Sequence, residues 1–157
     1  MIKEIKNTEI LCFTLDEQRL AVPLVSVHRV LRAMAVTLIP DAPPSVYGVI
    51  DYHGDVIAII NLRCKLKLPE QHIGINDRFI IVNTLNRKIG IVADKVEGVK
   101  KPLELDFIEA EDINSDLKCT RVLRDDDGII LVYDLERLMN DLNEMQEEQP
   151  AEPMVLT

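Results

Sequence analysis

The residues that could do chemistry in this 157-residue chain are three histidines and a run of aspartates. His28, His53 and His72 lie far apart and lack the close spacing that is typical of metal ligands. Residues 125–128 (Asp-Asp-Asp-Gly) superficially resemble a calcium loop, but an EF-hand alternates its ligands along the loop and closes it with a glutamate. The sequence therefore predicts no metal site, and we interpret the aspartate run as a solvated hairpin turn.

Motifs for nucleotide binding and hydrolysis are missing from the chain. Neither G-x-x-x-x-G-K-[ST] nor G-x-G-x-x-G occurs, so no glycine-rich phosphate cradle is predicted. The serines, Ser26, Ser45 and Ser115, lie outside any G-x-S-x-G nucleophile elbow. The acidic segment 100–117 has carboxylates that could serve acid–base catalysis, but no cluster of histidine or lysine accompanies them. We therefore expect a binding protein and not an enzyme, with no catalytic residue and no cofactor.

Composition and charge narrow the possible partners. The chain has 18 basic and 27 acidic residues, a formal net charge of −9, and no tryptophan. Because acidic surfaces are repelled by phosphate groups, nucleic acid and anionic membranes are unfavourable partners. Cys12, Cys64 and Cys119 form no C-x-x-C pair and are predicted to be reduced, small apolar residues. No signal peptide and no membrane span of roughly 20 apolar residues is evident, so a cytoplasmic protein is expected.

The elements that would position a binding surface are predicted to be mostly short strands. In segment 9–15, Leu11, Phe13 and Leu15 alternate with Ile10 and Cys12, which is the period of a strand. Two segments, 77–83 and 88–94, are apolar on both faces, as expected for strands buried on two sides. The other predicted strands are 20–22, 35–39, 46–51, 56–60, 96–99, 119–123 and 128–133.

Turns and helices complete this prediction. Hairpin turns are expected at 52–55 (Tyr-His-Gly-Asp), at 84–87 and at 125–128, and segment 96–99 is expected to extend the sheet that contains 77–94. One helix is predicted over 25–31. A second, short helix is predicted directly after Asn61, its N-cap, and a third over 134–145, with Asp134 as its N-cap. Residues 1–8 are expected to be loose and 146–157 disordered. No internal repeat is evident, and the pattern favours an all-β barrel or sandwich without choosing between them.

An ordered set of motifs resembles those of the CheW family, the adaptors that join bacterial chemoreceptors to the histidine kinase CheA. The matching segments are 11–15 and 21–24, Pro40, Pro43, 48–50, Gly54, 56–60, 62–63, 90–96 and 128–135. The resemblance covers about residues 9–142. It implies two small intertwined five-stranded β-barrels of SH3-like form with a C-terminal helix, together one domain over residues 9–145.

The resemblance also implies partners and a receptor-binding site. The partners would be a CheA-type kinase of a two-component signalling system and the helical-hairpin tip of a chemoreceptor, at membrane-associated arrays. The receptor would bind in the groove between the barrels, at positions that match Val27, Val30, Val96 and Val99. An edge of the second barrel would contact the kinase, and no residue is assigned to that contact.

The chain departs from the family pattern at Arg29, at 51–53 (Asp-Tyr-His in place of Asn-Leu-Arg) and near Thr120, where the family usually has Gly. Family members commonly have Glu and Arg, thought to lie close together, where this chain has Arg29 and His53, which we include in the predicted receptor site. This exchange predicts either a divergent adaptor, tuned to a particular receptor or to a non-motility signalling system, or simple drift at an exposed pair. The rival function, a small-ligand-binding or enzymatic barrel, would need converging polar groups in a concave site. A third class, an OB-like nucleic-acid binder, is disfavoured by charge and by the scarcity of aromatic residues.

Overall fold

The computed structural model describes residues 8–138, in which short strands form two sheets. The strands are β1 (Ile10–Leu15), β2 (Gln18–Pro23), β3 (Val27–Arg32), β4 (Val46–Tyr52), β5 (Asp55–Ile60), β6 (Arg78–Asn83), β7 (Lys88–Ala93), β8 (Lys95–Lys100), β9 (Phe107–Glu109), β10 (Arg121–Asp125) and β11 (Gly128–Val132). The helices are α1 (Leu62–Leu66) and α2 (Ala110–Ile113), with 3-10 turns at Leu24–Ser26 and Glu104–Asp106. The predicted mostly-β fold with short helices is confirmed.

Sheet A has the strand order β8-β1-β2-β11-β10-β9, and sheet B has the order β3-β6-β7-β5-β4. Neighbouring strands are antiparallel except β2–β11 and β5–β7, which are parallel. Five strands were expected in each barrel. Sheet A has a sixth because Phe107–Glu109, which the sequence placed in an acidic loop, pairs with β10.

The two sheets exchange their edge strands. Hairpin β1–β2 belongs to sheet A, yet the next strand, β3, pairs with β6 in sheet B. Hairpin β6–β7 belongs to sheet B, yet β8 pairs with β1 in sheet A, so the prediction that 96–99 extend the sheet of β6 and β7 is wrong. The barrels are therefore intertwined. The orders β8-β1-β2-β11-β10 and β3-β6-β7-β5-β4 also show a topological repeat that the sequence did not reveal.

Buried side chains form three clusters. The inter-sheet core contains residues of both sheets, including Phe13, Leu20, Ile80 and Ile91. The sheet A core contains Ile10, Cys12, Ala21, Leu123, Ile130 and Val132. The sheet B core contains Ile50, Ile57, Ile59, Phe79, Ile81 and Val92. Each sheet thus has one face on its own core and one on the shared core.

The predicted alternation in the buried strands is confirmed. Leu11 and Phe13 point into the inter-sheet core, whereas Ile10 and Cys12 point into the sheet A core. Strand β6 divides in the same way, since Ile80 and Val82 face the inter-sheet core while Phe79 and Ile81 face the sheet B core. Strands that are apolar on both faces are therefore buried on both faces, as the pattern indicated.

The helix predicted over 25–31 is wrong, because this segment is a 3-10 turn followed by β3. Its register against β6 pairs Val27 with Val82 and Arg29 with Ile81, so His28 is an extra residue in a β-bulge. The bulge places Val27 and Val30, three residues apart, on the same face. A bulged strand can therefore show the spacing of a helix, although the β-branched residues favour a strand.

The other local predictions have mixed outcomes. The hairpins β4–β5, β6–β7 and β10–β11 are confirmed, and the first turns through His53 and Gly54, both with positive φ. The strand predicted over 35–39 is wrong, because only Thr37 forms a bridge, to Val49. Cys119, predicted in a strand, lies just before β10. Segment 100–117 is not only a loop, since it contains β9 and α2.

Both predicted N-caps are confirmed. The Asn61 side chain accepts a hydrogen bond from the Cys64 N–H at the start of α1. Asp134 Oδ1 accepts from the Glu136 N–H at 2.9 Å, and residues 135–138 are helical. The rest of the helix predicted to residue 145 lies outside the described residues, as do residues 1–7 and the tail 146–157.

Candidate protein-binding site

The exchanged edge strands, β3 and β8, place four valines along the margin of the inter-sheet core. Each valine lies opposite a residue of that core on the neighbouring strand, and side chains directly opposite each other project from the same face of a sheet. The pairs are Val27 with Val82, Val30 with Ile80, Val96 with Phe13, and Val99 with Leu11. We call Val27, Val30, Val96 and Val99 the valine rim.

Matching bulges produce this arrangement. In β8 the register moves from Gly98 opposite Cys12 to Val96 opposite Phe13, so Glu97 is the extra residue, as His28 is in β3. Each strand therefore contributes two valines at a spacing of three residues to one face. The structure therefore places all four of these predicted site residues, from two separate parts of the chain, on the core-facing side of an edge strand.

The valine rim is partly open to solvent. Val30 is 37% and Val99 is 54% exposed, whereas Val27 and Val96 are partly buried against the inter-sheet core. Exposed apolar side chains beside a core, on strands at the edges of sheets, are typical of a surface that binds another protein. Val27 and Val96 therefore pack on the core, and Val30 and Val99 are the more exposed members of the rim.

The other two predicted site residues, Arg29 and His53, do not join the rim. Arg29 lies opposite Ile81, a residue of the sheet B core, and therefore projects from the other face of β3. His53 lies at the tip of the β4–β5 turn, where its ring packs edge-on to Tyr52 with centroids 4.4 Å apart. Within residues 8–138, no hydrogen bond or ion pair joins Arg29 to His53.

The sequence analysis did not predict the structural role of Arg63, whose ion pairs join sheet A to sheet B. Its side chain is 5% exposed and donates to Asp16 Oδ1 at 2.8 Å and to both carboxylate oxygens of Asp94 at 2.6 Å. Asp16 lies in the β1–β2 turn and Asp94 at the crossover from β7 to β8, two residues before Val96. This Arg63 clasp therefore fixes the point where β8 begins. Arg63 and Asp94 each belong to a recognised motif, but no signal in the sequence pairs them.

A second charged group lies on sheet A. Arg19 donates to Glu97 at 3.0 and 3.1 Å and to Asp125 at 2.6 and 2.8 Å, and Lys100 reaches Asp125 at 2.6 Å. These hydrogen bonds, that from Arg19 foremost, hold the pKa of Asp125 well below its usual range. Nearby, burial raises the pKa of the Cys12 thiol to about 11. The ion pairs connect β2, β8 and β10, so they stabilise the sheet, and the thiol remains protonated near neutral pH.

Two clefts in the described part of the chain have volumes in the range of small-ligand sites. One, of about 420 Å³, is lined by Tyr47, Asn61, Glu70, Gln71 and His72 among others, and burial raises the pKa of the Tyr47 hydroxyl. The other, of about 390 Å³, lies between the start of β1 and Arg121. In the described part of the chain, no three His, Cys, Asp or Glu side chains are placed to hold a metal ion. Across residues 8–138, no helix is long and apolar enough to cross a membrane.

Comparison with known proteins gives the family. A family model described as "CheW-like domain" matches residues 9–143. The chain is 26% identical over 142 residues to the chemotaxis protein CheW of Thermotoga maritima, covering 88% of this chain and 91% of that protein. It is 34% identical over 93 residues to the protein FrzA of Myxococcus xanthus, covering 59% of this chain and 58% of FrzA, which is less than two thirds of that relative.

A solved structure shows the same fold. The scaffolding protein TtCheW from Thermoanaerobacter tengcongensis superposes with a TM-score of 0.74 at 24% identity, over 82% of this chain and 89% of that one. The family match covers nearly all of the described residues. The chain therefore belongs to the CheW-like domain family.

Proposed function

We propose that the protein is a non-enzymatic adaptor that couples the cytoplasmic tips of chemoreceptors to a CheA-type histidine kinase in a signalling array. Family membership supports the adaptor role, and several relatives are named chemotaxis protein CheW. In this proposal residues 9–145 act as one domain, in the cytoplasm. The observation that supports the proposal most directly is the valine rim, because it offers exposed apolar side chains on the edge strands of both sheets.

The rim suits a helical partner. Amphipathic helices bind by laying an apolar stripe into an apolar groove, with contacts one helical turn apart. Val30 and Val99 lie on edge strands of different sheets and are the more exposed members of the rim. A helical hairpin seated between them would contact both barrels at once. A change in receptor conformation would then shift kinase activity through differential contacts with the adaptor.

The test is to replace Val99 with aspartate and measure binding of a receptor helical-hairpin fragment encoded by the same genome. A charge placed in a central apolar contact is expected to weaken binding at least about tenfold. Because Val99 is already 54% exposed, the melting temperature should change little. The matched control is Ile75→Asp, since Ile75 is 90% exposed and lies in the loop before β6.

Two results would contradict the proposal. One is wild-type affinity of Val99→Asp for the receptor fragment. The other is an equal loss in the Ile75→Asp control, which would indicate a general effect of added charge. A separate assay with the regulatory domain of the kinase should show binding by both variants, because the kinase is expected to use another face.

The departures at Arg29 and His53 support a narrower proposal, that this adaptor is tuned to a particular receptor. Both side chains are exposed, and they form no bond with each other in the described structure. The double variant Arg29→Glu, His53→Arg restores the common family residues. An unchanged order of preference among receptor fragments would show that these positions have simply drifted.

A further inference from the structure

Two arginines lie at opposite strand positions next to the valine rim. Arg32 on β3 lies directly opposite Arg78 on β6, two residues along from the Val30–Ile80 pair and on the same face. Side chains directly opposite each other on antiparallel strands are close neighbours, and like charges in that position are destabilising. Two basic residues stand opposite each other here although the acidic residues of the chain outnumber the basic ones by 27 to 18.

No carboxylate of the described residues compensates this pair. Among the described residues, Arg78 donates only to backbone carbonyl oxygens, those of Asn76 at 3.0 Å and Asp77 at 3.2 Å. The nearest acid in sequence, Asp77, is buried, and its carboxylate accepts from the Gly74 N–H at 2.7 Å. Arg32 is exposed and has no ion pair within residues 8–138, whereas Arg19, Arg63 and Arg121 each have two.

We propose that the Arg32–Arg78 pair receives a carboxylate from the partner helix that packs on the valine rim. The inference rests on the proposed function and specifies the chemistry of the partner. Guanidinium groups donate to carboxylates through a bidentate fork, so two arginines at opposite strand positions form a strong donor site for one acidic side chain.

The spacing fits a helix. Val30 and Arg32 are two residues apart on a strand, which is about 6.6 Å. Positions i and i+4 of a helix are about 6 Å apart along its axis. The partner should therefore have an Asp or Glu one helical turn from the apolar residue that contacts Val30. A second copy of this chain is the competing occupant, since its segment Glu104–Glu111 is acidic.

The test is a charge swap between Arg32 and the receptor helical-hairpin fragment encoded by the same genome. Arg32→Glu is expected to weaken binding at least about tenfold. Replacing the acidic residues of the fragment with Lys, one at a time, should find one that weakens binding to the wild type equally and restores binding to Arg32→Glu. The matched control is Arg124→Glu, an exposed arginine on β10 whose reversal changes net charge equally and should alter affinity by less than about twofold.

A measurement of thermal stability shows whether the Arg32→Glu substitution damages the fold, independently of its effect on binding. Because Glu at position 32 would face Arg78, the Arg32→Glu variant should melt at the same temperature as the wild type or higher. Loss of binding with a lower melting temperature would point to damage to β3 and would overturn the proposal.

The remaining outcomes separate this inference from the proposed function. If Val99→Asp abolishes binding and Arg32→Glu leaves it unchanged, the adaptor proposal stands and the carboxylate site is wrong. If neither variant affects binding, both are wrong. If Arg32→Glu instead abolishes self-association seen by light scattering, the occupant is a second copy of the chain, and the receptor carboxylate is excluded.

Discussion

Replacing Arg63 with methionine should destabilise the fold substantially, because it removes the cation of the Arg63 clasp. Methionine is a long, unbranched apolar side chain, so the change removes the charge and leaves the apolar stem. The variant leaves Asp16 and Asp94 facing each other without a partner charge, joined only by the Asp16 N–H to Asp94 Oδ2 hydrogen bond of 2.7 Å. Breaking a buried ion pair in this way costs about 3–5 kcal/mol.

The value expected here is smaller. The carboxylates are 38% and 25% exposed, so water screens part of the repulsion that remains. We therefore expect a loss of about 2–3 kcal/mol in the free energy of unfolding. For a domain of this size, that loss corresponds to a melting temperature lower by roughly 4–12 °C.

The assay is urea unfolding followed by circular dichroism, with Arg124→Met as the control for loss of an exposed arginine. Arg63→Lys should fall between wild type and Arg63→Met, because an ammonium group cannot bridge two carboxylates with a planar fork. In a double-mutant cycle, Asp94→Asn should couple to Arg63→Met by about 1–3 kcal/mol. A loss below about 0.5 kcal/mol for Arg63→Met would refute the reasoning, because that is the size of an ordinary surface effect.

Three further predictions concern the core, acid stability and thiol reactivity. Gly90→Ala should cost about 1 kcal/mol in urea unfolding, the low end for overpacking, because the new Cβ would lie 2.6 Å from Ile59 Cδ1, the flexible end of a fully buried side chain; an unchanged midpoint would contradict this packing. The folded pKa of Asp125 is depressed, so its stabilisation is present above the unfolded pKa of about 4 and is lost as pH falls toward the folded pKa. Asp125→Asn should therefore flatten the acid limb of a stability–pH curve, and an unaltered limb would exclude this contribution. In the native protein, alkylation followed by mass spectrometry should modify Cys64 and spare Cys12, which is fully buried and has a pKa of about 11; equal rates would show that the sheet A core opens readily.

The sequence by itself determined the local features of the fold. Alternation of Leu11 and Phe13 with Ile10 and Cys12 predicted a strand with two distinct faces, and the structure places those faces on two different cores. The hairpin turns and the N-caps were also predictable, because residues such as Gly54 and Asn61 act on the backbone within a few positions of themselves. Such signals depend on neighbours in sequence, so they can be read without the tertiary fold.

Only the tertiary structure decided how these elements are joined. The local sequence pattern did not indicate that β3 and β8 exchange sheets, because the strand that each pairs with lies far away in the sequence. The helix predicted over 25–31 failed for a related reason, since a bulge at His28 gives Val27 and Val30 the spacing of a helix within a strand. The clasp likewise joins Arg63 to Asp16, 47 positions away, and to Asp94, 31 positions away. Family resemblance pointed to the four valines, but their place on the core-facing side of β3 and β8 exists only because both edge strands have a bulge and both line the shared core.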